Sequence, residues 1–296
     1  MKAIATALPL AGLLLAAVLA AKTYADDKPP ALDKPLSLLF IGNSYTSVNA
    51  LPGIVEKMAV SAGRAKPLVA ESTPGGCTLS KQMQTPRTLE LIDQGGAASA
   101  GWDVVVLQEQ SQLPAMAAVN PQVGRTFLEG ATALYQKIRE KNRSARVVLY
   151  ETWSRHAEVW TKKPAEVQPL GASPLEMQSR IRKSYQAVAA ELARGDKRKV
   201  AIAPVGDIWE IVYRSEEPVR LHADDGSHPN PAGSYVAGLV LFATIYATSP
   251  AKVTYVVPGL SEADAGVLKK LLVQQWDATA KAKAPRSKKA KSGASR

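Results

Sequence analysis

Two segments carry the residues best suited to chemistry: "LFIGNSYTSVN" (38–48), with a serine, and "LHADDGSHPNPAGSYVAG" (221–238), with an aspartate and a histidine three apart. A serine hydroxyl is a weak nucleophile at neutral pH. An imidazole within hydrogen-bond reach can take its proton, and does so best when a carboxylate fixes its tautomer and stabilises its cation. Ser44, His228 and Asp225 are those three groups, the last two delivered from one tight loop. Ser44 has a competing reading as the cap of an ordinary strand-to-helix turn. The loop has one as a metal site, since His222, Asp224, Asp225 and His228 are ligand types. Four ligands within seven residues would need a contorted loop, and none of the familiar zinc spacings is present.

The elements that must position these groups are legible as a pattern. At 296 residues and 46% apolar content, the chain is long enough to bury a large core. Short continuous apolar runs at Ser37 to Ile41, Pro67 to Glu71, Asp103 to Leu107, Arg146 to Glu151 and Lys199 to Ala203 read as strands covered on both faces. Helical periodicity appears between and after them, at 51–63, 85–94, 121–141, 174–194, 231–247 and 261–276. In "RTFLEGATALYQKIREKN" the apolar Phe127, Leu128, Ala131, Leu134, Tyr135 and Ile138 recur at three- and four-residue steps. Such alternation implies a parallel sheet with right-handed crossovers and helices on both sides. Ligands of such sheets bind outside the carboxyl ends of the strands. Gly42-Asn43-Ser44, Ser72 to Cys77 and Gln108 to Ser111 follow strands one, two and three, and should share that edge.

These blocks resemble the SGNH (GDSL-type) hydrolases, serine esterases and lipases on a flavodoxin-like three-layer α/β/α fold with a mostly parallel five-stranded sheet. "GNSYT" stands where the family has Gly-Asp-Ser, with Asn43 in place of the acid, and "DGSHPNPAG" matches its Asp-x-x-His block. The likeness spans roughly residues 36–247. It implies Ser44 as nucleophile, His228 as general base and then acid, and Asp225 as its orienting partner. The family's oxyanion hole uses the nucleophile's backbone N–H, a glycine after strand two and an asparagine after strand three. The first would be that of Ser44; the second maps onto "TPGGCT", with Gly76 the better match and Gly75 the alternative. At the third the family's Gly-x-Asn-Asp is missing and strand three ends in "LQEQSQLP". Some branches, notably carbohydrate acetylesterases, use a glutamine there. Gln108 is the choice for that donor, with Gln110 and Gln112 as alternatives. "LYETWSRH" resembles a segment of other bacterial members, and implies Trp153 and Arg155 as substrate-binding residues, an aromatic wall and a cation for a sugar or an acidic group; Asn43, in the serine block, is expected as a third substrate-binding residue.

Other residues read more plainly. Glu109, Glu151 and His156 are expected to be structural or solvent-facing, Cys77 a small buried residue, and Trp160, Trp209 and Trp276 packing aromatics. Because Cys77 is the only cysteine, no intramolecular disulfide can form.

Residues 1–25 read as a signal peptide: Lys2, an apolar run from Ala3 to Ala21, and the small Thr23 and Ala25 before Asp26. The alternative is an uncleaved anchor, since the run is close to the ~20 residues a membrane span requires. A soluble periplasmic or secreted protein is expected. The net charge of +11 is concentrated at the ends: residues 281–296 carry seven positive charges and no acid, which, with the signal region removed, leaves +2 for residues 26–280. The body, 26–280, therefore carries no nucleic-acid footprint, and the resemblance implies that it is one SGNH-type hydrolase domain. The tail is a disordered basic appendage that would contact anionic envelope polymers or a membrane surface, or merely solubilise.

The expected function is an exported serine esterase releasing short acyl groups, acetyl first, from a small-molecule or glycan ester, with no metal or organic cofactor. The rivals are an O-acyltransferase using the same triad and a non-catalytic carbohydrate-binding protein on the same fold.

Overall fold

Five runs, four of them largely buried and the second, at an edge, partly exposed, form one sheet in a computed structural model that describes residues 30–31, 33–96, 101–195 and 200–283. They are β1 (Ser37–Ile41), β2 (Leu68–Ser72), β3 (Val104–Leu107), β4 (Arg146–Glu151) and β5 (Ala201–Pro204), all parallel, in the order β2-β1-β3-β4-β5. β1 and β4 have the bounds read from the sequence, while β2 sits one residue later and β5 starts two later. The expected signal segment lies outside the described residues, as does the basic tail beyond residue 283.

Period-two alternation sends each strand's side chains to opposite faces, and the core divides accordingly. Leu38, Phe40, Val104, Val106, Val148 and Tyr150 pack beneath α2 (Leu51–Ser61), α10 (Val205–Tyr213), α11 (Pro231–Tyr246) and α12 (Glu262–Lys283). Leu39, Ile41, Val105, Leu107, Val147 and Leu149 face α4 (Pro86–Gln94), α6 (Pro121–Lys141) and α9 (Pro174–Gly195). The result is three layers. α11 is buried along nearly its whole length, which explains its uniformly apolar and small-residue sequence. α12 runs to Lys283, so the helical backbone includes the first three residues of the expected tail.

Six helices appear where no helix is expected from the sequence. Five are short: α1 (Ser44–Ser47), α3 (Leu79–Gln82), α5 (Leu113–Ala117), α7 (Ala157–Lys162) and α8 (Pro164–Val167). The sixth, α10, follows β5 with no intervening loop. Its Val205, Ile208, Trp209 and Val212 do recur at helical steps.

Candidate active site

Register gathers the site. Ile41 pairs with Ser72 on one side and Leu107 on the other, so the first three strands end level at one edge, while β4 runs two residues past Leu149, the partner of Leu107. Order reverses on either side of β1, which places the segment after β1 at the topological switch point.

Ser44 opens the single-turn helix α1. Asn43 precedes it with extended backbone, and its side-chain oxygen accepts the Tyr45 N–H at 3.1 Å. The sequence's two readings of this turn are therefore both present, but on different residues: Asn43 caps, which leaves the Ser44 hydroxyl free to point out. Gly42 is dictated by crowding, since a Cβ there would lie 2.6 Å from both Gln108 Oε1 and Thr46 Oγ1.

The loop before α11 supplies the partners of Ser44. His222 bridges to Pro229, and the Ala223 N–H donates to the His228 carbonyl at 2.8 Å, folding 222–229 into a small hairpin. Asn230 caps α11 through the Gly233 N–H and donates to the Arg220 carbonyl, which fixes the hairpin's exit. His228 Nε2 lies 2.8 Å from Ser44 Oγ, and His228 Nδ1 lies 2.6 Å from Asp225 Oδ2. The other oxygen of Asp225 accepts the backbone N–H groups of Ser227 and His228. Desolvation pushes the Asp225 carboxyl up, but the His228 ring and these two N–H groups outweigh it and hold the pKa at about 2. An ionised Asp225 requires the proton on Nδ1, so the Nε2 lone pair faces the serine.

An aromatic stack backs the imidazole. The Tyr45 ring meets His228 edge-on at 5.3 Å and stacks on Trp153, which stacks on Trp209. Trp153 is 1% exposed, and its indole N–H donates to the Ser227 carbonyl. It thus supports the histidine loop from behind and offers no wall to a substrate. Asn43 is also turned inward: its amide donates to the Cys77 carbonyl and its N–H donates to Gln108. The third expected substrate contact, Arg155, is half-buried, with its guanidinium donating to the Tyr45 hydroxyl and Ser111 Oγ.

The oxyanion donors separate in the same way. Gly76 sits at the turn Pro74–Cys77 with φ +64°, a backbone that glycine adopts without penalty. Among the described residues, neither its N–H nor that of Ser44 has an acceptor. Gln108 is fully buried; its oxygen accepts from the Asn43 N–H and the Thr46 hydroxyl, and its amide nitrogen donates to the Glu109 carbonyl. Flipping the amide would set N–H against N–H, so the orientation is fixed, and full burial keeps the amide nitrogen from a substrate oxygen although only one of its two N–H groups is engaged. Gln110, two residues on, is half-buried; its oxygen accepts from the Gln112 and Leu113 N–H groups, while its amide nitrogen has no partner among the described residues.

Glu109 is neither solvent-facing nor idle. Its Oε1 accepts the Leu79 N–H at 3.1 Å and the Gln110 N–H at 2.6 Å, tying the loop after β2 to the loop after β3. Burial, only partly offset by these hydrogen bonds, pushes its pKa up to about 7. Gln82 is a second tie, donating to the carbonyls of Gly42 and Ser72 at the ends of β1 and β2. Neither tie was recognised from the sequence. The glutamine-flanked acid in "LQEQS" was the signal for one, and nothing in the sequence marks the other.

His222 is committed elsewhere. Its Nε2 lies 2.9 Å from the Ser154 carbonyl and its Nδ1 2.7 Å from the Tyr213 hydroxyl, and burial lowers its pKa to about 3. The ligand set weighed for a metal therefore does not converge. Cys77 is buried, and burial raises its thiol pKa. Glu151 is fully buried beside Gln178, and His156 caps α7.

No family model matches the chain, and no curated protein matches it. Solved structures do. A protein from Slackia heliotrinireducens assigned to the SGNH hydrolases superposes with a TM-score of 0.55 at 26% identity, over 72% of this chain and 100% of its own. This is the SGNH-hydrolase fold. A DUF4886 family protein from Bacteroides uniformis ATCC 8492 shares it with a TM-score of 0.65 at 17% identity, over 81% of this chain and 94% of its own. So does a protein from Parabacteroides merdae ATCC 43184 assigned to the GDSL-like lipases, with 0.53 at 16%, over 74% and 99%. At those two identities the likeness is of fold alone. The serine block of this chain follows β1 and the histidine block precedes α11.

Proposed function

We propose that this protein is a serine esterase that forms an acyl-enzyme on Ser44. One observation carries the proposal: the continuous hydrogen-bonded line from Ser44 Oγ through His228 to Asp225, at 2.8 and 2.6 Å. Ser44 Oγ attacks the ester carbonyl as its proton passes to His228 Nε2, and Asp225, still ionised, stabilises the imidazolium. The tetrahedral oxyanion is held by the Ser44 and Gly76 N–H groups and the Gln110 amide. Collapse of the tetrahedral adduct breaks the ester C–O bond, and His228 returns the proton to the departing alcohol. Water, deprotonated by the same imidazole, then attacks the acyl-enzyme and frees the acid. Short acyl groups, with acetyl first, and export through residues 1–25 complete the reading.

The test is hydrolysis of p-nitrophenyl esters from acetate to octanoate by protein lacking residues 1–25, beside Ser44→Ala and His228→Ala. Wild type is expected to turn over the short esters, and each variant to lose ~10⁵–10⁶ of kcat. A fluorophosphonate probe is expected to label wild type at Ser44. Silence in both assays would leave the fold without the activity.

A further inference from the structure

Two arginines that are half-buried like Arg155 are neutralised by carboxylates. Arg182 pairs with Asp207 at 2.6 Å and Glu210 at 3.3 Å, and Arg180 with Glu176 at 2.6 Å. Arg155, half-buried beside Tyr45, has none within salt-bridge range among the described residues. Its Nη1 donates to the Tyr45 hydroxyl and its Nη2 to Ser111 Oγ at 3.2 Å, while the guanidinium lies over the Tyr45 ring, 5.8 Å from its centroid. Both partners are uncharged, so the positive charge is partly desolvated and unneutralised, an arrangement that costs free energy until an anion arrives.

The position is held from behind. The Ser154 N–H donates to Gln178, and the Arg155 N–H meets Met177 Sδ. Two of the five guanidinium N–H groups are engaged, leaving three in a fork that matches a carboxylate. Arg155 also lines, with His156 and Tyr213, an open cavity of about 370 Å³ whose lining does not include Ser44 or His228, so the link to the catalytic serine runs through Tyr45. The guanidinium meets Tyr45 at its hydroxyl, at the far end of the side chain from the backbone that continues from Ser44. An anion bound there lies several bonds from the reacting carbonyl.

We infer that Arg155 is the specificity residue of this site and that the substrate is an ester bearing a carboxylate a few bonds from the scissile carbonyl. The inference rests on the esterase reading and deepens it. Two matched pairs locate the charge: mono-p-nitrophenyl succinate against p-nitrophenyl butyrate for the acyl side, and 4-acetoxybenzoate against its methyl ester for the alcohol side.

The readout is the ratio of kcat/KM, anionic over neutral, within one preparation. In one of the pairs wild type is expected to favour the anion about ten- to a hundredfold, mainly through KM, as a hydrogen bond to a charged group implies. That ratio should collapse to about 1 in Arg155→Met and recover in part in Arg155→Lys, which keeps the charge without the fork. A merely structural arginine would lower both members of a pair together. An unchanged ratio in Arg155→Met, or no preference in either pair while the neutral esters are hydrolysed and Ser44 is labelled, would overturn the inference and leave the esterase reading standing. No turnover of any of the four, with no labelling at Ser44, would overturn both.

Discussion

At the scale of residues, Gln108 and Gln110 show how side-chain direction assigns roles that residue type cannot. Both carry the same amide, both follow β3, and two positions separate them. Gln108 is fully buried with both ends used, one of them on the Asn43 N–H directly before the nucleophile. Gln110 holds its oxygen in a turn and leaves its nitrogen unpartnered among the described residues. Gln110→Ala is therefore expected to lower kcat by ~10²–10³, the usual loss for one oxyanion donor, with little change in thermal midpoint. Gln108→Ala should instead lower the midpoint, because it leaves the Asn43 N–H and the Glu109 carbonyl buried without partners, at about 1–3 kcal/mol for each group. Steady-state kinetics and thermal unfolding on the two variants separate these outcomes, and a reversed pattern would return the third donor to Gln108.

At the scale of elements, the turn from β1 into α1 is what makes Ser44 available. It works because two side chains close over a backbone with no Cβ at Gly42. A methyl group there would press to 2.6 Å on Gln108 and Thr46, both locked in hydrogen bonds to each other. Gly42→Ala is expected to destabilise by about 1–3 kcal/mol through overpacking and to lower activity by more than the fraction unfolded accounts for, since the strain falls one residue before Asn43. Denaturant titration beside active-site labelling with a fluorophosphonate checks this; full labelling at wild-type rate would show that the turn can yield. The same turn defeated a single reading of the sequence. "GNSYT" offers two capping residues in a row, and only the extended backbone at Asn43 determines which of them caps.

For the whole molecule, the sheet edge brings loops together and buries a charge to keep them there. Glu109 ties the loops after β2 and β3, and its second carboxylate oxygen has no hydrogen-bond partner among the described residues. Its pKa rises from the ordinary 4.5 to about 7 in the folded state through burial. The folded state therefore binds the proton more tightly, so this contribution is complete below pH 4.5, is lost as pH rises toward about 7, and is level above it. Relative to Glu109→Gln, wild type should lose thermal stability across that window. The difference between the two midpoint-versus-pH curves isolates this group from Glu71, Glu151 and Glu210, whose burial also raises their pKa values. Parallel curves would remove Glu109 as the cause.

The sequence by itself determined what depends on local pattern. Continuous apolar runs fixed β1 and β4 to the residue, three- and four-residue steps fixed α6, and the order of polar blocks along the alternation set Ser44, Asp225 and His228 at one edge. Even the missed α10 was written in its apolar spacing and was hidden only by the absence of a loop before it. Tertiary structure alone decided which polar side chains turn inward. Trp153 and Asn43 support the site where a substrate contact was expected, Gln108 clamps where a donor was expected, and Glu109 and Gln82 join loops that are distant in sequence. The physical reason is that periodicity encodes which face of its own element a residue occupies. Whether an amide at the end of a strand meets solvent or another backbone depends on what the neighbouring strands bring beside it.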